Sequence, residues 1–195
     1  MCGISGFIDF SKKTDKEILL KMNRTMTHRG PDGEGYALFN TETATVGLGH
    51  RRLSIIDLTE GGAQPKTFQH LHITFNGEIY NYAEIKVQLE QKGHQFNSHS
   101  DTEVILHAYL EWGSACLQKF IGMFAFAIYD EASQKLFACR DRAGTKPFFY
   151  YWKNGLFLFA SELKAIVNHP SFVKTINIDA VAAFMQHGYV PTPNC

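Results

Sequence analysis

The sequence predicts an α+β protein in which β-sheets are covered by helices. Phenylalanine and tyrosine recur in short alternating runs, as in residues 123–129, which is typical of strands with one buried face. Strand-like runs stand before and after a pair of helical segments, and more helix follows at the end. With 195 residues, of which 45% are hydrophobic, the chain can bury one sizeable core.

A strand and a helix are predicted to open the chain. Residues 3–8 combine glycines with alternating apolar positions, so this strand would build the N-terminus into the fold. Apolar residues then recur at helical spacing behind a possible N-cap, Thr14, as far as about His28. Two strand-like runs, 35–39 and 45–48, follow the loop that stops this helix.

The middle of the chain predicts one strand and two helices. Residues 71–75 alternate like a strand, and the Asn-Gly pair at 76–77 is a strong turn signal, so we expect the strand to end there. Residues 82–92 have a helical pattern that ends at a glycine. The segment 100–103 has the spacing of a capping box and predicts a helix that ends near Trp112.

Two consecutive hairpins are predicted in the last third, with turns that are polar or contain Asn-Gly. The paired segments are 123–129 with 135–139 and 147–152 with 156–160. Ser161 is then expected to cap a helix, and Asp179 to begin another.

Composition argues against several kinds of partner. Nineteen basic residues balance nineteen acidic ones, so no overall field attracts nucleic acid or an anionic membrane surface. No leader peptide and no run of about 18 apolar residues is found, so we expect no membrane span. The four cysteines are widely separated, and His70 and His72 lack a third ligand, so we expect no disulfide and no metal site. These features favour a reduced, cytoplasmic protein.

Cys2 is the residue that most suggests chemistry. A small residue in second place normally permits removal of the initiator methionine, which would give one residue both a thiol and a free α-amine. A free α-amine has a reference pKa of about 7.7 to 8.0, so near neutral pH it can accept a thiol proton. While Met1 is attached, that nitrogen is an amide and the base is missing. The alternative is a buried cysteine near the start of the chain, with no catalytic role.

Arginine-containing segments could bind a carboxylate. The segment 50–57 sets two arginines, Arg51 and Arg52, at the end of a strand-like run. One of them could hold a carboxylate through two hydrogen bonds, although surface salt bridges explain them as well. Residues 28–32, His-Arg-Gly-Pro-Asp, could shape a loop around a polar ligand or form a plain turn. The charged loop 140–147 lacks the glycine pattern of a phosphate-binding loop and favours an ion-pair network or a docking surface.

Asn76, Gly77 and Glu78 bring an amide, a backbone N–H and a carboxylate into one short segment. The first two could stabilise an oxyanion, and a simple hairpin turn is the alternative. Asp101 could bind an ammonium group, or it could complement the dipole of the helix that it begins.

Taken together, these segments resemble the glutaminase domain of glutamine-dependent asparagine synthetases, within the class II amidotransferases and the N-terminal nucleophile hydrolases. The resemblance covers nearly the whole chain and rests on eight pieces that occur in the same order. The pieces are residues 1–4, 28–32, 52–57, 76–81, 100–103, 122–126, 140–142 and 160–164.

The resemblance implies a four-layer αββα sandwich of two antiparallel sheets, with Cys2 at one end of the facing sheets. It implies that Cys2 supplies a thiol nucleophile and an α-amine base. The side chain of Asn76 and the N–H of Gly77 would then form the oxyanion hole.

By the same resemblance, Arg52 holds the α-carboxylate of L-glutamine, and Glu78 and Asp101 hold its α-ammonium group. These charges suit a zwitterionic amino acid. The implied reaction is acyl transfer through a thioester of Cys2, which water hydrolyses to glutamate after ammonia has left. No metal or organic cofactor is expected for this step.

The resemblance also implies a partner for the ammonia. We expect residues 1–187 to form the glutaminase domain, and residues 188–195, with two prolines, to begin a linker. A C-terminal ATP-pyrophosphatase domain would use ATP and Mg²⁺ to activate aspartate, and its phosphate loop is not among these 195 residues. The resemblance allows a homodimer.

Two alternatives stay open. The same site could serve a relative that amidates another carboxylate, such as that of a sugar or a peptide, because these residues would contact glutamine only. The domain could also be a catalytically silent docking module, although a scaffold has no reason to carry the whole set of candidate residues. An N-terminal nucleophile amidase for another substrate is disfavoured by charges that match a zwitterion.

Overall fold

Two antiparallel sheets face each other, and helices cover the outer face of each. The computed structural model describes residues 1–53 and 62–191. The strands are β1 (Gly3–Asp9), β2 (Gly33–Asn40), β3 (Thr45–Arg52), β4 (Lys66–Phe68), β5 (Leu71–Ile79), β6 (Gly122–Asp130), β7 (Lys135–Arg140), β8 (Phe149–Lys153) and β9 (Leu156–Ala160). The helices are α1 (Lys16–Arg24), α2 (Tyr82–Glu90), α3 (Asp101–Trp112), α4 (Leu163–Val167) and α5 (Ile178–His187), with a 3₁₀-helix at Gly113–Gln118. The predicted four-layer αββα sandwich is confirmed.

The N-terminal strand lies in the middle of its sheet. The first sheet has the order β2-β3-β1-β9-β8, and the second has the order β4-β5-β6-β7. On one side of β1, Gly3 pairs with Arg51, and on the other side Ser5 pairs with Ala160. Because both edges of β1 are hydrogen-bonded, the start of the chain is fixed by its two neighbours.

Side chains alternate across β1 and therefore enter two different cores. Ile4 and Ile8 point at the other sheet, whereas Phe7 points at the layer of α1 and α4. The core between the sheets consists of Ile4, Val46, Leu48, Ala125, Ala127, Tyr129 and Phe159. A third core fills the space between the second sheet and helices α2 and α3. Four layers thus enclose three apolar interfaces.

Two hydrogen bonds join β3 of one sheet to β5 of the other. The hydroxyl of Thr74 donates to the carbonyl of Gly49 at 2.9 Å, and Nε2 of His50 donates to the carbonyl of Phe75 at 3.2 Å. The next residue along β3, from Gly49 to His50, contacts the next residue along β5, from Thr74 to Phe75, so the two strands run in the same direction here. The two strand ends therefore lie at the same end of the sandwich.

The prediction that the chain turns at Asn76-Gly77 is wrong. Strand β5 runs through both residues to Ile79 and pairs with β6 along its whole length, with Gly77 opposite Phe124. A Cβ atom at Gly77 would lie 2.3 Å from the carbonyl oxygen of Met123. The glycine permits close approach of β6, so extended strand pairing overrides the local turn preference.

The first helix begins one residue later than predicted and ends earlier, at Arg24. Its N-cap is Asp15, whose carboxylate accepts a hydrogen bond from the N–H of Ile18 at 3.0 Å. Thr14, the predicted cap, is buried and donates its hydroxyl to the carboxylate of Asp9 at 2.7 Å. The hydrogen bond to Asp9 thus uses the Thr14 hydroxyl that the local sequence predicted would cap the helix.

Ser161 does not cap α4. Its hydroxyl accepts a hydrogen bond from the N–H of Ile4 at 3.0 Å, and its own N–H donates to the Ile4 carbonyl at 2.8 Å. The N-cap of α4 is Glu162, without a side-chain hydrogen bond. Ser161 therefore extends the anchoring of β1.

The capping box predicted for α3 is formed only in part. Ser100 caps the helix by accepting from the N–H of Thr102 at 3.2 Å. Glu103 instead accepts from the N–H groups of Asn97 and Ser98, at 2.9 and 2.8 Å. The last helix begins at Ile178, with Asn177 as its cap. In the described part of the chain, no helix is both long enough and apolar enough to cross a membrane.

His50 is buried between the sheets and held in its neutral form. Only 1% of the residue is exposed. Burial lowers the pKa of His50 from 6.5 to about 4; the bond to the Phe75 carbonyl opposes the change, and the charges of Arg52 and Arg51 add to it. Between about pH 4 and pH 6.5, His50 is therefore neutral in the folded protein and protonated in the unfolded chain.

We expect the free energy of unfolding to fall as the pH is lowered through 6.5, because the unfolded chain then protonates His50 and the folded protein does not until about pH 4. From this residue alone, about 2 kcal/mol should be lost between pH 7 and pH 5. Urea unfolding at both pH values measures the loss. The variant His50→Gln keeps a donor for Phe75 and should lose less; an equal loss in both proteins would contradict the assignment.

Candidate active site

Strand alternation turns Cys2 and Arg52 toward the interior between the sheets. Cys2 lies two residues before Ile4, and Arg52 lies two residues after His50, so each shares the face of a residue that contacts the other sheet. The register that pairs Gly3 with Arg51 places Cys2 beside Arg52 when it is continued by one residue. The sheet therefore places these two residues, to which the resemblance assigns roles in one site, on neighbouring strands.

Strand β5 contributes Asn76 and Glu78 to the same end. They share the face of Thr74, which bonds across to the first sheet, so all three side chains point away from the helices. Asn76 is 2% exposed, whereas Glu78 is exposed. The buried amide therefore lies inside the sandwich and the carboxylate at its mouth.

The amide of Asn76 has an unused donor. Its Nδ2 atom is buried and has no hydrogen-bond partner in the part of the chain that the structure describes. A buried polar group without a partner costs about 1–3 kcal/mol. Such a donor is suited to an acceptor that arrives from outside the protein.

The N–H of Gly77 points at the open edge of β5. Backbone N–H groups of alternate residues lie on the same side of a strand. The N–H groups two residues before and two residues after Gly77 both form hydrogen bonds on the side of β5 that faces away from β6. The N–H of Phe75 donates to the side chain of Gln64 at 2.6 Å, and that of Ile79 donates to Asp101 at 3.1 Å. A second donor thus stands next to the Asn76 amide.

Asp101 lies against the same edge of β5 as the first residue of α3. Burial raises the pKa of Asp101 above its ordinary value, hydrogen bonds from Ile79 and Thr102 oppose the change, and the charge of Glu78 adds to it. The fold has therefore gathered two carboxylates that repel each other. A cation between them would relieve that repulsion.

The sulfur and the carbonyl of Cys2 are both held. Sγ accepts a hydrogen bond from the N–H of Leu53 at 3.4 Å and lies 3.8 Å from the Leu53 carbonyl oxygen. The Cys2 carbonyl accepts from Nε of Arg29 at 3.0 Å. The half-buried thiol is thereby fixed between the end of β3 and the loop after α1.

Arg29 is a residue that sequence reasoning left unassigned within the segment 28–32. Its side chain is 11% exposed, and Nη1 lies 3.4 Å from the carboxylate of Glu162. Its Nη2 atom is buried without a partner among the described residues. Glu162 also bonds to His28 at 2.8 Å and to Lys164 at 3.0 Å. The segment 28–32 therefore anchors the peptide unit between Cys2 and Gly3, which is the first peptide unit once Met1 is removed.

A cavity of about 100 Å³ opens beside Arg52. His50, Asp32, Glu34 and Gln64 also line it. Pockets for small molecules usually measure about 300 Å³ or more. The described residues therefore enclose only part of a ligand-sized pocket, and residues 54–57 of the segment that continues from Arg52 lie outside the described residues.

The histidines without an assigned role are engaged elsewhere. His70 lies 3.8 Å from Asp130, and His72 contacts Thr67 at 2.9 Å and Glu131 at 3.2 Å. Across residues 1–53 and 62–191, no group of three histidine, cysteine or acidic residues has the arrangement of a metal site.

Comparison with known proteins gives one family. A family model described as the glutamine amidotransferase domain matches residues 1–195. A putative glutamine-hydrolysing asparagine synthetase of Methanocaldococcus jannaschii is 42% identical over 99% of this chain, which spans 40% of that protein. Asparagine synthetase 3 of Bacillus subtilis is 41% identical, again over 99% of this chain, which spans 32% of that protein. The chain thus covers well under half the length of these relatives.

Solved structures support the fold. The glutamine phosphoribosylpyrophosphate amidotransferase of B. subtilis, solved with ADP and GMP, superposes with a TM-score of 0.72 at 22% sequence identity. The match covers 85% of this chain and 43% of that chain. At this identity the likeness concerns the architecture of the two sheets and their helices.

We expect Gly30→Ala to loosen the anchor of the first peptide unit and to destabilise the protein by about 1–3 kcal/mol. A Cβ atom there would lie 2.4 Å from the backbone carbon of Arg51, whose Nε also donates to the Gly30 carbonyl at 2.9 Å. Gly33→Ala is the matched control, because its Cβ would meet nothing nearer than 3.5 Å. Urea unfolding of both variants is the measurement, and equal stabilities would rule out the close approach.

Proposed function

Because this chain belongs to the glutamine amidotransferase domain family, we propose that Cys2, freed by removal of Met1, hydrolyses the side-chain amide of L-glutamine. The observation that carries the proposal is the buried Nδ2 donor of Asn76, which has no partner among the described residues and lies at the same end of the sandwich as the Cys2 sulfur. The oxyanion that forms when a thiolate attacks an amide carbonyl would give this donor its acceptor. The N–H of Gly77 would be the second donor.

The reaction proceeds in two halves. The α-amine of Cys2 takes the thiol proton, and the sulfur attacks the side-chain carbonyl carbon of glutamine. The amine then gives that proton to the departing ammonia, and a thioester with Cys2 remains. Water, activated by the same amine, hydrolyses the thioester to glutamate and restores the thiol. We propose that no metal or organic cofactor takes part in this step.

Two contacts prepare Cys2 for this role. The N–H of Leu53 donates to Sγ and holds the sulfur at the end of β3. Arg29 holds the carbonyl of Cys2 and limits rotation about the first peptide unit. Both contacts fix the sulfur and the nitrogen of one residue relative to Asn76.

The charged residues suit the two ends of an amino acid. Arg52 would hold the α-carboxylate of glutamine, and Glu78 with Asp101 would hold its α-ammonium group. The raised pKa of Asp101, which burial causes, supports this assignment, because a bound ammonium would stabilise the ionised carboxylate. A ligand without the α-amine would leave the two acidic groups unpaired and should bind poorly.

The ammonia is proposed to serve asparagine synthesis. The relatives that match this chain over 99% of its length are named asparagine synthetases and are two and a half to three times longer. We propose that residues 1–187 form the glutaminase domain and that 188–195 begin a linker to a domain that uses ATP and Mg²⁺. The left-handed Gly188, with φ of 76°, ends α5 and supports that boundary, and residues 192–195 lie outside the described residues. A homodimer and a cytoplasmic location stay predictions.

The first test is intact-mass spectrometry of the expressed chain before and after incubation with a glutamine-analogue diazoketone. We expect the mass without Met1, followed by a single adduct that Cys2→Ala does not form. Cys116 is a built-in control, because burial raises the pKa of its thiol to about 12 and makes it unreactive. A processed chain that hydrolyses no glutamine and takes no adduct would favour the silent docking module instead.

We expect Asn76→Ala to lower kcat for glutamine hydrolysis about a hundred- to a thousandfold with little change in KM, because the lost donor acts on the oxyanion. Asn97→Ala removes the same amide from an exposed position and is the control. Ammonia release from glutamine, followed at several glutamine concentrations, separates kcat from KM. A rate within about threefold of the wild type would remove Asn76 from the oxyanion hole.

A further inference from the structure

Lys146 is a buried lysine whose ammonium has no anionic partner among the described residues. The residue is 6% exposed, and the hydrogen bond of its ammonium is to the thioether sulfur of Met1 at 3.4 Å. A thioether is a weak acceptor. In residues 1–53 and 62–191, no carboxylate forms an ion pair with this ammonium. Burying a cation is costly unless it is paired and well hydrogen-bonded.

The backbone of Lys146 is fixed on both sides. Its N–H donates to the carboxylate of Asp141 at 2.9 Å, and its carbonyl accepts from Nε of Arg140 at 2.5 Å. Asp141 also accepts from the N–H groups of Thr145 at 2.8 Å and Phe124 at 3.2 Å. The loop 140–147 is thus a hydrogen-bonded frame in which the charged side chains bind backbone groups, whereas the ion-pair network suggested by its charges is not seen among the described residues.

This frame holds the ammonium close to the nitrogen that becomes the α-amine. Five covalent bonds separate the sulfur of Met1 from the Cys2 nitrogen, so the Lys146 ammonium lies within roughly 10 Å of that nitrogen. Removal of Met1 takes away the sulfur and leaves the Lys146 ammonium within that distance of an α-amine that can itself become a cation. Like charges at short range disfavour each other.

We propose that Lys146 is a positioning residue whose buried charge keeps the α-amine of mature Cys2 unprotonated, and therefore basic, at a lower pH than the same site would allow without that charge. The assignment rests on the proposed function in one respect, namely that this amine is the base. The effect on the amine itself does not depend on any substrate.

Lys146 adds its charge to a mixed set of charges around the N-terminus. Arg29 is paired with Glu162, and Arg52, on the neighbouring strand, adds positive charge. Glu78, Asp101 and Asp141 add negative charge, and Asp141 also accepts hydrogen bonds from backbone N–H groups. The proposed effect is therefore the part of the field that Lys146 itself contributes. The charged groups on the elements around the terminus, besides Lys146, are Arg29, Arg52, Glu78, Asp101, Asp141 and Glu162.

The test is a pH titration of the processed protein labelled with ¹⁵N-cysteine. Only Cys2 has an amine nitrogen, because the other three cysteines contribute amides, so its signal stands apart. We expect Lys146→Met to raise the midpoint of this titration by about half to one pH unit, and Lys146→Arg to leave it near the wild-type value. The acid limb of kcat/KM for glutamine should move by the same amount.

Lys153→Met is the matched control, because it removes the same charge from an exposed position of β8 and should leave the midpoint unchanged. Lys146→Gln keeps hydrogen-bond donors without the charge, so it provides a folded neutral variant where methionine disturbs the loop. A midpoint in the neutral variants within about 0.2 pH units of the wild type overturns the inference.

The titration also separates this inference from the proposed function. A protein whose amine midpoint responds to Lys146→Met but which hydrolyses no glutamine would overturn the proposed function and support the role of Lys146. An active glutaminase with an unmoved midpoint would overturn the role of Lys146 alone.

Discussion

The central position of β1 is the constraint on which the site depends. Chain termini usually fray, and a terminal residue held by nothing would sample many positions. Here both edges of β1 are paired, and Ser161 exchanges two hydrogen bonds with Ile4 just beyond the strand's start. Arg29 extends the anchoring to the carbonyl of Cys2. The terminus is thereby as well fixed as an interior residue, which is what a reaction by that residue requires.

Because the two sheets face each other, only those strand side chains that lie on the inner faces can come together at the site. Cys2, Arg52 and Asn76 come from three strands, and each points inward only because of its place in the strand alternation. A shift of one residue in the pairing of β1 with β3 would turn Cys2 toward α1 and away from Asn76. The two hydrogen bonds between β3 and β5 set the second sheet relative to the first. Register within each sheet and contact between sheets are both needed.

Sequence periodicity predicted most of the strands and both hairpins, because those follow from local alternation. The four layers were predicted from the resemblance of ordered motifs, and the short strand β4 was not predicted. Local sequence patterns failed where a distant partner decided the outcome. The Asn-Gly pair at 76–77 has a strong local turn preference, yet strand β6 pairs along it. Thr14 was predicted to cap α1, but its hydroxyl donates a hydrogen bond to Asp9 instead. The contact between Lys146 and Met1 joins residues 145 positions apart, and no local pattern could have indicated it.

Three donors that lack a good partner among the described residues lie near the N-terminus: Nδ2 of Asn76, Nη2 of Arg29 and the ammonium of Lys146. Nε2 of His107 and the hydroxyl of Tyr129 are further buried atoms without a hydrogen-bond partner among those residues. Each costs stability in the resting protein, about 1–3 kcal/mol for a neutral group. A reaction that creates a thiolate and an oxyanion at that end would be assisted by an excess of fixed donors, which need not reorganise as charge develops. The same excess disfavours a protonated amine beside the sulfur. One electrostatic arrangement can therefore both stabilise the developing anions and keep the base free of its proton.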